Sequence, residues 1–423
     1  MPLIYILAGE ASGDVLGARL IAALHAQRPG LEFAGVGGPR MADSGLPASL
    51  FPMSDLSVMG IVEVLPRIRL LLRRRAEVLA DIARRRPDVV VTVDSPGFMH
   101  HVLAGVAPLG IPRVHYVAPQ VWAWRAHRVK HYPGLWDRLL CLLPFEPAWF
   151  ARHGLPATFV GHPVLESGAD QGNAARFRTK HGLTPDQPVL ILMPGSRRSE
   201  APRLLPVFGR ALHLLAAQQP AVRPVLPVSP AVSEFVRRAA KGWPVQPIIV
   251  TGPDDKHDAY AAASAALTKS GTSTLELALA AVPMAVAYRV NPLTAAMARR
   301  MIQVPHVAMV NLLAGRALVP ELLQSGCTAE TISGTVMSLL NDPGRADAQR
   351  SGFRAIMDSL RPPGRLPSEA AADEVLDVLD QALATQTVRA AARAASLLAG
   401  AAPGSQGNRR APRSRGLWRT IPA

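Results

Sequence analysis

Short apolar runs recur along the chain, each followed by a polar or glycine-bearing turn. A longer segment then returns apolar residues every three or four positions. Runs of this length predict buried strands and the longer segments predict amphipathic helices, so the alternation argues for parallel sheets built from βαβ units. In the first half the pattern predicts strands at Leu3–Leu7, Glu32–Val36, Val89–Val93, Arg113–Tyr116 and Arg138–Cys141. Helices are predicted over Val15–Gln27 and from about Glu63 to Arg85. The second half has the same rhythm without repeating the sequence. Its strands are expected near Val189–Met193, Val245–Val250, Ala265–Lys269 and Met284–Tyr288. Its helices are expected at Arg203–Gln218, Ala259–Ser264, Ser273–Ala281 and Pro292–Met301.

The fold class that follows is α/β, with two Rossmann-like, doubly wound domains facing across a cleft. Residues 1–165 form the first domain, 166–187 a loop-like linker rich in glycine and polar residues, and 188–366 the second domain. An amphipathic helix, clearest over Ser368–Leu383, packs back over residues 367–388. Residues 389–423, rich in alanine, glycine, proline and arginine, read as a basic, disordered tail. Open α/β sheets bind ligands beyond the carboxyl ends of their strands, and the candidate motifs fall there.

Composition narrows the class. At 423 residues, with 49% hydrophobic and 18% charged residues, the chain is long enough for two ordinary cores. Two distant cysteines, Cys141 and Cys327, argue for reduced thiols and against a disulfide framework. The opening MPLIYILAGEASGD reaches Glu10 and Asp14 too soon for a signal peptide and reads as a first strand. The most apolar stretch, Leu275–Tyr288, contains Glu276 and Pro283, so no bilayer span is expected.

The net charge of +15 is concentrated in two places. Seven arginines and no acid follow from Arg389, and eight arginines lie between Arg67 and Arg86. Such patches suit phosphate-bearing partners. The tail's single aromatic, Trp418, offers no stacking platform, which argues against nucleic acid. The second patch adjoins an apolar run. Val58, Met59, Ile61, Val62 and Leu65 beside Arg67, Arg69 and Arg73 make a surface suited to dip among anionic lipid headgroups. A core-facing helix is the plainer account of the apolar positions, but it does not need so many arginines.

Two turns suit a nucleotide diphosphate. In Pro194-Gly195-Ser196-Arg197, Gly195 lets an anion approach the backbone and Arg197 offers a forked cationic donor. In Ser270-Gly271-Thr272-Ser273-Thr274-Leu275-Glu276, small hydroxyl residues face phosphate and Glu276 is placed for ribose hydroxyls. Ser273-x-x-Glu276 is also a capping box, which needs no ligand. Neither turn is a Walker A loop, and Gly35-Val36-Gly37-Gly38 lacks dinucleotide spacing. Asn311 stands in a third polar loop as a base or phosphate reader, or simply as a turn residue.

The opposing side is acidic. Gly9-Glu10-Ala11-Ser12-Gly13-Asp14 ends the first strand, with Ser12 as helix N-cap, Gly13 opening the turn, and Glu10 and Asp14 directed at sugar hydroxyls. Balancing the helix dipole accounts for Asp14 equally well. Asp94 follows the strand Val89–Val93 and is the candidate general base for an acceptor hydroxyl; a turn-forming aspartate before Pro96 is the alternative. His115 is a rival base or hydroxyl orienter, and His162 a residue that reaches across the cleft from the hinge. Trp122 and Trp124 are assigned to packing.

Taken in order, these motifs resemble the lipid-A-disaccharide synthase family, an inverting glycosyltransferase family of lipopolysaccharide lipid A biosynthesis. The resembling residues are Gly9-Glu10-x-Ser12-Gly13-Asp14, Val58-Met59-Gly60-Ile61-Val62-Glu63-Val64-Leu65, Val121-Trp122-Ala123-Trp124-Arg125, Leu143-Pro144-Phe145-Glu146, Pro194-Gly195-Ser196-Arg197, Ser270-Gly271-Thr272 through Glu276, and Asn311-Leu312-Leu313. The resemblance implies the GT-B fold, a UDP-2,3-diacylglucosamine donor and a 2,3-diacylglucosamine 1-phosphate acceptor. It further implies a β-1,6 product, no metal or cofactor, Asp94 as base, and Arg197, Glu276 and Asn311 around UDP. A homodimer, cytoplasmic and peripheral to the inner membrane, belongs to the same expectation. The sequence departs at Gly97, which follows Pro96 where the family commonly has a second acidic residue. On the residues alone, a UDP-N-acetylglucosamine epimerase, the peptidoglycan transferase, and a non-catalytic lipid-surface or nucleic-acid-binding protein remain as rivals.

Overall fold

In the computed structural model, two six-stranded sheets, every strand pair parallel, divide the chain. The structure describes residues 1–57, 61–124, 126–195, 201–291, 295, 301 and 303–400. The first sheet contains β1 (Leu3–Ala8), β2 (Glu32–Val36), β3 (Val89–Val93), β4 (Arg113–Tyr116), β5 (Arg138–Cys141) and β6 (Ala157–Phe159), in the order β2-β1-β3-β4-β5-β6. The second contains β7 (Val189–Met193), β8 (Arg223–Pro227), β9 (Ile248–Val250), β10 (Ala265–Thr268), β11 (Met284–Tyr288) and β12 (Glu321–Leu323), in the order β12-β11-β10-β7-β8-β9. All five residues of β3 are buried, as expected of a strand covered on both faces.

Strand order reverses between β1 and β3 in the first sheet and between β7 and β10 in the second. At such a point adjacent connections leave for opposite faces and open a crevice. The loops after these four strands carry the candidate chemistry.

Three short strands escape the sequence pattern. β8 reads Arg-Pro-Val-Leu-Pro, whose prolines mask its strand character, while β6 and β12 have three residues each. The predicted strand at Val245–Val250 keeps only Ile248–Val250. The helix expected at Ala259–Ser264 is instead Pro253–Ala262, started by a proline in its first turn. Most of the predicted helix Pro292–Met301 lies outside the described residues.

The linker expectation needs correction too. Residues 166–187 are not loop-like: Ala174–His181 is a helix with the Asn173 side chain capping its N-terminus and Phe177 fully buried. Arg176 pairs with Asp258 at 2.5 Å, so this helix belongs to the second domain. The chain crosses between domains near Gly161 and again near Leu360, and His162 N–H donates to the Leu360 carbonyl at 3.1 Å. Arg19 of the first domain donates to the carbonyls of Pro163 (3.0 Å) and Glu166 (2.6 Å). Ser368 then hydrogen-bonds the Glu166 carboxylate.

The final helix, Pro367–Gly400, returns to the first domain, where Arg138 pairs with Glu374 and with Asp377, the latter at 3.0 Å. It continues past residue 388 because alanine-rich sequence favours helix even without apolar periodicity. From Asp380 the chain forms a separate unit whose described part is this helix. Residues 401–423 lie outside the described residues. Among the described residues, no helix is long and apolar enough to cross a membrane.

Candidate active site

Asp94 stands at the first reversal point, immediately after β3. Its backbone and that of Ser95 are both left-handed, at φ 51° and 47°. Two successive non-glycine residues in this region carry strain, held here by the Asp94 N–H bond to the Tyr116 carbonyl at 2.8 Å. Burial raises the Asp94 carboxyl pKa, opposed by a hydrogen bond from the Ser95 backbone. No ion pair to Asp94 occurs among the described residues. Such a carboxylate is a stronger base than one in water. A Cβ added at Gly97 would meet nothing within 4 Å.

The other acidic candidates divide. The helix after β1 begins at Ala11 with Glu10 as N-cap, so Ser12 and Gly13 lie inside its first turn and Ser12 does not cap it. Asp14 does not face the cleft. It is 4% exposed, and its carboxylate accepts N–H bonds from Gly38 (2.9 Å), Arg40 (3.1 Å) and Met41 (3.0 Å). It holds the start of the helix Pro39–Asp43, whose N–H groups would otherwise be orphaned.

His115 is likewise unavailable to a substrate. It is fully buried, its Nδ1 lies 2.7 Å from the Thr92 hydroxyl, and its ring stacks on Trp136. Burial keeps it neutral, with a pKa well below the usual histidine value. His162 is also buried, with its pKa lowered to about 4, and its Nδ1 accepts the Val164 N–H at 3.1 Å. That nitrogen shapes the hinge turn.

At the second reversal point, the loops after β7 and β10 both turn through glycines with positive φ: Gly195 at 111° and Gly271 at 148°. A side chain in either conformation would be strained, and the bare backbone leaves N–H groups open to an anion. Ser196 and Arg197 lie outside the described residues. In the second loop Thr272 is the N-cap residue, with Ser270 and Gly271 before it. The Ser270 hydroxyl donates to the Val307 carbonyl at 2.7 Å, so its one proton is committed there rather than to phosphate.

The capping-box account of Glu276 fails. Ser273 Oγ instead contacts the Thr268 hydroxyl at 3.1 Å. Glu276 is held by Lys256 and by the Tyr260 hydroxyl, 3.3 Å from Oε2. Sequence reasoning missed Lys256 because it started the helix at Ala259, and it gave Tyr260, inside that helix, no role. Pro253 as first-turn residue and the i, i+4 spacing were the available signals.

Asn311 is a correction. It is fully buried; its amide donates to the Val319 carbonyl and to Glu321 Oε1, both at 2.8 Å. Its oxygen accepts the Val319 N–H at 2.8 Å. Asn311 lies in the helix Met309–Ala314 rather than in a loop, and these contacts tie that helix to β12. Glu321 also receives the N–H groups of Val307 and Ala308.

Of the lipid-facing candidates, Val58 and Met59 lie outside the described residues, as do the side chains of Ile61, Val62 and Leu65. Their helix, Ile61–Arg85, presents exposed Arg67, Arg69 and Arg73. Between them stand Ile68 and Leu72, large apolar side chains that are 48% and 56% exposed. Arg74 is committed elsewhere, to Asp55 at 2.7 Å and to the face of Phe51.

The model of the family described as lipid-A-disaccharide synthetase matches residues 4–375. The lipid-A-disaccharide synthase of Gluconobacter oxydans (strain 621H) is 62% identical over 90% of this chain and 91% of its own length. Among solved structures, UDP-GlcNAc 2-epimerase from Neisseria meningitidis bound to UDP-GlcNAc superposes with a TM-score of 0.61 at 12% identity. That match covers 89% of this chain and all of the epimerase. The calicheamicin glycosyltransferase does so with a TM-score of 0.55 at 19% identity, covering 90% and 98%. The two structures are alike in fold, which is the GT-B arrangement.

Proposed function

The chain belongs to the lipid-A-disaccharide synthetase family and is a glycosyltransferase, and on that premise we propose how its residues divide the reaction. The second domain binds UDP-2,3-diacylglucosamine, with the diphosphate against the loops at Gly195 and Gly271 and the ribose at Glu276. Arg197 draws charge from the departing diphosphate. The first domain binds 2,3-diacylglucosamine 1-phosphate. Asp94 removes the proton from its attacking hydroxyl, which displaces UDP with inversion and forms the β-1,6-linked disaccharide 1-phosphate.

One observation carries this reading. A half-buried carboxylate with a raised pKa, on strained backbone at the reversal point of the first sheet, supports Asp94 as the base. The test is to mix both lipid substrates with enzyme and seek the disaccharide by mass spectrometry. Product with the native enzyme and none with Asp94→Asn supports the assignment; equal product from both overturns Asp94 as base.

The same proposal places the protein on the anionic cytoplasmic face of the inner membrane, through Ile68 and Leu72 with Arg67, Arg69 and Arg73 around them. It also makes the working form a homodimer, as the family resemblance implies. A monomer by sedimentation, with full turnover, overturns that part.

A further inference from the structure

Two sequence motifs remain without a role, Trp122-Ala123-Trp124 and Leu143-Pro144-Phe145-Glu146, and in the structure they meet. Glu146 is 2% exposed and opens the helix Glu146–Ala151 after β5. One carboxylate oxygen accepts the Trp122 indole N–H at 3.0 Å. The other accepts the N–H groups of Leu142 at 3.1 Å and Leu143 at 3.0 Å. Burial lifts its pKa to about 7 in spite of these three donors, and no cation contributes to offset it. An apolar side chain would fill the space without that desolvation cost. What it would not do is fasten two separate segments to one point.

The fastened segments bear on the second domain. Trp122 and Leu143 enter an apolar cluster built largely from second-domain residues, among them Leu275, Leu277 and Val310. The carbonyl next to Trp122, that of Ala123, accepts the Gln303 N–H at 2.9 Å. A few residues on, Val307 receives the Ser270 hydroxyl at 2.7 Å. Contacts therefore run from Glu146 through Trp122 and Ala123 to residues 303–307, and from there to the Ser270 loop.

We propose that Glu146 is a positioning residue for glycosyl transfer: it fixes the Trp122 segment as the bearing against residues 303–307, and so sets the Ser270 loop relative to the half that carries Asp94. A displacement of about 1 Å between reacting groups is enough to cost on the order of a hundredfold in rate. UDP itself binds within the second domain and does not depend on this bearing. The inference rests on the transfer reaction proposed above, and the native enzyme assayed alongside separates the two. A native enzyme that makes no disaccharide defeats the reaction, whereas the variants test the bearing.

The experiment uses the full chain with Glu146→Gln, Trp122→Phe and both together. It measures kcat and both KM values, UDP affinity by calorimetry, and melting temperature. The expected result is a loss of about tenfold in kcat for each single variant. The double variant should be no more than about twofold below the poorer single one, and UDP Kd should stay within about twofold of native. Multiplying effects, UDP affinity that falls in step with kcat, or native kcat in folded variants would each overturn the proposal. Should Glu146→Gln not fold, Trp122→Phe decides alone, since it removes the indole N–H and keeps an aromatic ring. A lower kcat with intact UDP affinity then supports the bearing, and native kcat sinks it.

Discussion

Lys256 Nζ lies 3.2 and 3.0 Å from the two carboxylate oxygens of Glu276, and Tyr260 from the same helix reaches that carboxylate as well. Sugar hydroxyls are selected by carboxylates held in one orientation, and here one helix of the second domain holds another's acid. The Glu276 side chain remains 23% exposed, so its grip on Lys256 leaves an accessible surface for ligand.

The first prediction concerns that grip. A pair this exposed is worth about 0.5–1 kcal/mol after solvent screening. Lys256→Met should therefore raise the UDP Kd by about two- to fivefold, with the fold unchanged. Calorimetric titration with UDP checks it, and an unchanged Kd means that Glu276 is oriented without Lys256.

Asp94 gives a prediction with two signs. Its pKa is raised in the folded chain by burial, so its stability contribution is complete below the unfolded pKa and is lost as pH rises through the folded value. Catalysis runs the other way, because the base acts only when ionised. Activity should fall on acidification with a midpoint above the ordinary carboxylate value of about 4. Asp94→Asn removes the half-buried charge and keeps a residue that tolerates left-handed backbone. At pH 8 it should abolish turnover while raising the melting temperature by about 2 °C. Loss of stability instead would show that the carboxylate serves the fold.

Asp14 separates structure from chemistry inside a motif that sequence reads as one unit. Asp14→Ala would leave its three backbone N–H donors without this partner, and the buried one, that of Met41, costs roughly 1–3 kcal/mol alone. Chemical denaturation should show the midpoint falling, while the folded fraction keeps its native kcat. A variant of native stability and lost turnover would return Asp14 to the substrate.

Strand rhythm was legible in the sequence because the central strands β1, β3, β7 and β10 are apolar and bounded by turns. Glycine positions in the two nucleotide loops were legible for a similar local reason: positive φ at Gly195 and Gly271 leaves glycine as the residue of choice. The fates of Asp14, His115 and Asn311 were not. Each is a polar residue that the sequence pattern puts at a strand end or loop, as a catalytic residue would be. What decides between cleft and core is a partner 8 to 27 positions away: Val319, Thr92 or Met41. Lys256 shows the converse, a site residue whose relevance appears only when Glu276 is brought beside it.

The exposed pair Ile68 and Leu72 makes the membrane proposal quantitative. Both lie on one helix, four residues apart and hence on one face, with Arg67, Arg69 and Arg73 alongside. Arginine near an anionic surface contributes about 1 kcal/mol, so Arg67→Ala and Arg69→Ala should each weaken binding to phosphatidylglycerol vesicles about fivefold at low salt. That loss should shrink as salt screens the charge. Burying the two apolar side chains adds a term that salt does not screen, so Ile68→Ser with Leu72→Ser should lower binding at every salt concentration. Turnover on detergent-dispersed substrates should stay native in all of these variants, since none touches the cleft loops. Vesicle co-sedimentation across a salt series reads both terms at once. If the arginine variants and the serine variants both sediment like the native chain, this face of the helix does not meet lipid.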